Sequence, residues 1–174
     1  MKYWCLSIAL FANAPPVYSS PLYTPRPLDA WAAESLERGL KQSPLVRNLV
    51  DVLEASNVIV HIETSTLLPA GIGGMTKFVT SQHGYRYVRI ILFRGLAPYD
   101  RVAALGHEFQ HACEIARSTA QNQEEVRRLF ELLGDRRPNQ HDFFETHAAV
   151  LAGHQVYMEL VRKRDSRSGT AGTK

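Results

Sequence analysis

His107-Glu108-Phe109-Gln110-His111 sets two imidazoles four residues apart with a carboxylate between them. On an α-helix, residues at that spacing stand about one turn apart on the same face, so both imidazoles can reach one metal ion while Glu108 sits beside it. The pattern predicts a zinc site and a general base in a single helical turn, the equipment of a metallohydrolase. Two histidines leave the site incomplete, because hydrolytic zinc takes three protein ligands and keeps a fourth position for water. Glu145, in the stretch Asp142-Phe-Phe-Glu145-Thr-His-Ala-Ala149, is the expected third ligand. Its neighbours Phe143, Phe144, Ala148 and Ala149 read as a buried, closely packed helix rather than an exposed one. His141, one turn earlier on the same predicted helix face, is the alternative, whereas His147 and His154 would point away from that face.

The succession His107-Glu108-x-x-His111, then Glu145-x-x-Ala148 on a later helix, resembles the glutamate-zincin (gluzincin) metallopeptidases over about Arg86 to Leu160. The resemblance implies that His107, His111 and Glu145 bind one Zn2+ and that Glu108 is the base. It also implies a small sheet backed by the two site helices, and a peptide or protein substrate. The stretch Leu105 to Ala116 is similar, in addition, to short bacterial zincin-like proteins. The third histidine of metzincins is missing, since Glu114 stands where their glycine belongs and Arg117 where that histidine belongs. Some gluzincins place an aspartate four residues after the third ligand to orient a zinc-bound histidine, and here that place is Ala149. Glu114, two turns after His107 on the same face, is a candidate to hold an imidazole N–H instead. A donor to the developing oxyanion is sought among His83, Tyr99, His154 and Tyr157, and the sequence does not choose between them.

The elements that must position these groups follow from periodicity and end signals. Helices are expected over Asp29 to Leu40 and Pro44 to Ala55, and strands over Val58 to Thr64, Lys77 to Ser81 and Tyr85 to Phe93. Asp100 is expected to cap the motif helix, which ends near Arg117 and buries Leu105, Phe109, Ala112 and Ala116. A connecting helix over Gln123 to Leu133 and a long final helix from Pro138 to about Arg162 complete the order. The fold class is therefore α+β: a small mixed or antiparallel sheet packed on the motif helix and a second long C-terminal helix. Strand Lys77 to Ser81 is expected at the sheet edge, where an extended peptide could add as a further strand. Gly71-Ile-Gly-Gly74 reads as a turn, because it lacks the lysine and the following helix of a phosphate-binding loop.

The chain has 174 residues, enough for one domain with its own core. Met1 to Ala12 has one positive charge and then a short apolar run, so residues 1–19 are expected to act as a signal peptide for export. Residues 20–27 read as a proline-rich linker, 28–161 as the domain, and 162–174 as a disordered basic tail. That tail holds a net charge of +4 and the rest of the chain −1, so the overall +3 is no sign of a nucleic-acid surface. No run is long enough to span a membrane. Of two cysteines, Cys5 falls in the leader and Cys113 on the motif helix, facing away from the histidines, so no disulfide framework is implied. Two functional classes follow: a zinc-dependent peptidase, or a zincin-like metal-binding and interaction protein with little or no turnover.

Overall fold

The structure is a computed structural model that describes residues 24–136 and 144–169. Strand β1 (Arg26–Pro27) leads into helices α1 (Ala30–Gln42) and α2 (Pro44–Glu54), and then into strands β2 (Val58–Ser65), β3 (Gly74–Gln82) and β4 (Tyr85–Phe93). Helices α3 (Pro98–Arg117) and α4 (Gln123–Leu133) follow, then strands β5 (Asp135–Arg136) and β6 (Phe144–Glu145), and helix α5 (His147–Gly169). The class is α+β, as expected.

Local chemistry accounts for most of these boundaries. Asp29 caps α1 by accepting hydrogen bonds from the Trp31 and Ala32 amides, each 2.9 Å. Ser43 caps α2, whose first residue is Pro44, a position where a missing N–H costs nothing. Asn122 caps α4 through the Glu125 amide. Between β3 and β4, His83 and Gly84 both take positive φ (52° and 81°), the two-residue turn whose twist suits a tight hairpin.

The four-stranded sheet is mixed, in the order β1-β2-β4-β3. β2 runs parallel to both β1 and β4, whereas β3 pairs antiparallel with β4 and forms an edge. Even-numbered side chains of β2 and β4 point to one face, and Val58, Val60, Ile62, Val88, Ile90 and Leu92 bury there against the helices. From α3, Val102, Leu105, Phe109 and Ala112 meet that face, while Val156 and Leu160 of α5 close the other side. Cys113 is fully buried with its thiol 3.5 Å from the Leu49 carbonyl oxygen, and burial pushes its pKa up to about 12. It is an inert core residue.

Two buried arginines fix the motif helix at its ends. Arg86, only 3% exposed, reaches from β4 to the last turn of α3 and donates to the carbonyls of Ile115 (2.7 Å), Ala116 (3.0 Å) and Ser118 (2.8 Å). Asn57 Oδ1 takes its other N–H groups at 3.0 and 2.6 Å. Near the start of α3, Arg101 donates to Ser35 Oγ at 2.9 Å and lies over the Trp31 ring, 4.7 Å from its centroid.

Several boundaries differ from expectation, each for an identifiable reason. The fold reaches back past Leu28: Arg26–Pro27 pairs with β2, and the buried Thr24 accepts the Val60 amide at 3.0 Å. Asp100 lies inside the first turn of α3, because Pro98 already supplies the pre-set φ of a first helical residue. The last helix starts at His147 rather than Pro138, since Phe144–Glu145 pairs with β5 and Thr146 then caps the helix through the Ala149 amide at 3.1 Å. That helix runs on to Gly169, so much of the expected tail is helical. The expected leader and His141 lie outside the described residues. Among those described, no helix is long and apolar enough to cross a membrane.

Asp29 also accepts the Thr64 amide and hydroxyl, tying α1 to β2. Burial would raise its pKa, but these bonds and those from Ala32 and Trp31 outweigh it and hold the carboxyl below its ordinary value. Its contribution to stability is thus complete above the unfolded-state pKa of about 4 and is lost as pH falls through the lower folded-state value. Asp29→Ala should cost about 1–2 kcal/mol by denaturant titration at pH 7, with a smaller difference at pH 3; an unchanged difference would contradict this. Arg86→Ala, which leaves several helix-end carbonyls unpaired, should cost about 3 kcal/mol or more in the same assay.

Candidate metal centre

The helical spacing brings the two motif imidazoles edge to face, with ring centroids 4.9 Å apart. Glu145 reaches them from β6, not from a helix as the sequence suggested. Its Oε1 lies 2.9 Å from His107 Nε2 and 3.7 Å from His111 Nε2. One donor atom from each of the three residues falls within 4.8 Å of the others. Tetrahedral zinc with bonds of about 2.0–2.1 Å would space its ligand atoms about 3.3 Å apart, a value that the two measured separations bracket. Two imidazoles and a carboxylate, all largely buried, form a donor set that fits a divalent cation of that kind.

Backbone proximity makes this meeting feasible. Gly106 lies where α3 crosses α5, and a Cβ there would come within 2.6 Å of Val156. One turn away on α5, Gly153 abuts the motif helix, and a Cβ on it would stand 3.2 Å from His107 Cβ and 3.4 Å from the Ala103 carbonyl. At the end of α4, a side chain on Gly134 would overlap the Glu145 carbonyl. Three glycines therefore let the elements that carry His107, His111 and Glu145 approach closely.

Glu114 orients His111, as the sequence suggested. Its Oε2 lies 3.0 Å from His111 Nδ1, a contact in which Nδ1–H donates to the carboxylate and which turns Nε2 towards Glu145. Thr146 Oγ1 donates to Glu114 Oε1 at 2.8 Å, so one hydroxyl caps α5 and braces the residue that orients the ligand. Burial works against the Glu114 charge, but hydrogen bonds and positive charge from His111, with help from Thr146 and Gln110, keep its pKa below the ordinary value. The Phe130 ring stands edge-on to His111 at 5.2 Å and shields that side.

Glu108 is 4% exposed, and its carboxylate faces the edge strand. Thr76 Oγ1 lies 2.8 Å from Glu108 Oε2, and a Cβ on Gly74 would stand 2.9 Å from Oε1. A cleft of about 900 Å³ opens over these groups between β3, α4 and the start of α5. Of the four candidate oxyanion donors, His154 lines this cleft, His83 sits in the β3–β4 turn and Tyr99 packs against the core. Sequence reading missed Gly74, Thr76, Gly134 and Thr146. Thr146 carried a signal, since a threonine just before a helix is a good cap. A glycine opening a strand is likewise a mark of close backbone approach.

Glu114→Ala should weaken zinc affinity about 10–100-fold in a chelator competition assay, and Thr146→Val should do so to a lesser degree. Wild-type affinity in both variants would mean that neither orients the site. No family model, curated protein or solved structure matches this chain.

Proposed function

We propose that the protein is a zinc-dependent metallopeptidase of the gluzincin kind, with His107, His111 and Glu145 as ligands and Glu108 as general base. The observation that carries this reading is the place of Glu108. A site kept only to hold an ion needs the three ligands, but it does not need a carboxylate between the histidines, fixed by a neighbouring strand and facing a cleft.

The edge strand suits a peptide substrate. Phe93 N–H donates to the Gly73 carbonyl, and hydrogen-bonded pairs alternate along an antiparallel ladder, so Gly74, Thr76 and Phe78 turn their N–H and C=O groups away from β4. An extended peptide could pair with those groups and lie across the base and the three ligands. When bound, the zinc ion would polarise the peptide carbonyl and make water acidic enough to yield its proton near neutral pH. In the hydrolysis, water adds to the carbonyl carbon as Glu108 takes one of its protons. Glu108 then passes that proton to the leaving nitrogen as the C–N bond breaks, giving a free amine and a carboxylic acid. Glu114 and Thr146 hold His111 throughout, and Phe130 keeps bulk water off its ring.

Purified protein should hold one zinc ion and cleave members of a mixed fluorogenic peptide library. Glu108→Gln should keep the zinc and lose about 10²–10⁴-fold in turnover, whereas Glu145→Ala should lose the metal. Zinc bound without Glu108-dependent cleavage would replace the peptidase reading with that of a metal-binding, non-hydrolytic protein.

A further inference from the structure

Resting on the peptidase reading, the geometry points to Thr76 as the positioning residue for the general base. Its hydroxyl holds Glu108 Oε2, so that Oε1 is left as the oxygen that takes the proton.

Three observations lead there. Thr76 Oγ1 stands 2.8 Å from Glu108 Oε2 and 3.2 Å from the Glu108 backbone carbonyl, both of them acceptors for its single proton. Among the described residues no side chain donates to Oε1, which lies over the bare Cα of Gly74. A Cβ on Gly74 would stand 2.9 Å from both Oε1 and Cγ of Glu108, so a side chain there would displace the carboxylate from this position. Gly74 and Thr76 are two apart on β3, so both meet the carboxylate on the same face of the strand. One grips an oxygen and the other makes room for its partner.

The arrangement has a chemical logic. A glutamate on a helix has three side-chain torsions, and the helix fixes only the Cα. With Oε2 held by Thr76, rotation about the last torsion is restricted, and the base presents the same oxygen in every turnover. Misplacement of a reacting group by about 1 Å can cost about 10²-fold in rate, so a hydroxyl that never touches substrate can still control the chemical step. The same strand turns its Gly74 and Thr76 main-chain groups towards the cleft. Its side chains thus set the base while its backbone stands ready for the peptide.

The test uses the zinc-loaded full chain and compares Thr76→Val with Thr76→Ser. Thr76→Val keeps the shape and removes the hydroxyl. It should lower kcat about 10–100-fold, leave KM within about twofold and leave zinc stoichiometry at the wild-type value. Thr76→Ser should restore kcat to near wild type. In crystals of zinc-loaded Thr76→Val, the Glu108 carboxylate should leave its wild-type position. Wild-type kcat in Thr76→Val would overturn this inference and leave the peptidase reading intact, and so would an unmoved carboxylate. A loss of zinc in Thr76→Val equal to its loss of turnover would also overturn it, since the residue would then be merely structural. Absence of Glu108-dependent cleavage in the wild type would overturn both.

Discussion

The candidate site depends first on a guanidinium that never approaches it. Arg86 leaves the sheet, crosses the core boundary and satisfies the carbonyls at the end of the motif helix, while Asn57 takes the rest of its N–H groups. A helix end buried without partners would strand several acceptors in a dry interior, at a cost of about 1–3 kcal/mol each. Burial lowers the pKa of Arg86, yet an arginine stays charged under all ordinary conditions, so the clamp does not titrate. With Arg101 tying the other end to α1, the helix is fixed along its axis, and the histidines inherit that position.

Lateral placement comes from what is missing rather than from what is present. Helices with ordinary side chains at a crossing keep their axes about 8–10 Å apart. Gly106 and Gly153 remove the side chains that would enforce such a distance between α3 and α5, and Gly134 does the same for the chain around Glu145. His107, His111 and Glu145 can then meet, with the edge of Phe130 and the buried Glu114–Thr146 pair beside them. An alanine at Gly134 would run into the Glu145 backbone, one at Gly106 would force the Val156 side chain aside, and one at Gly153 would need a shift of only a few tenths of an ångström.

How much of this the sequence announced depends on the range of the interaction. The periodicity of α2, α4 and β4 is local, and so the start at Pro44 and the spans Gln123–Leu133 and Tyr85–Phe93 were legible. The motif histidines and Glu108 were legible because helical spacing is itself a local code. Glu145, the expected third ligand, does lie beside the two motif histidines, though not on the element that the sequence suggested. It was read as a helical residue, whereas it sits on a two-residue strand just before the helix begins. β3 begins within the glycine-rich stretch Gly71-Ile-Gly-Gly74, whose composition reads as a turn, and this hid the strand's first residues, Gly74 and Thr76 among them. Arg86 looked like one more residue of a buried strand. Nothing near it in sequence hints at carbonyls about thirty residues away.

Thr146 joins two events that are usually separate. Its hydroxyl has one proton, given to Glu114, and so it can only accept from the Ala149 amide. Fraying of the first turn of α5 therefore also loosens the brace on His111 and frees the chain that carries Glu145. Local opening of a helix end and separation of Glu145 from the two histidines are thereby coupled. An ion held there would stabilise the closed form by mass action, and would thereby slow solvent exchange at a backbone amide that it never touches. Occupancy of the site is in this sense written into the breathing of the helix beside it.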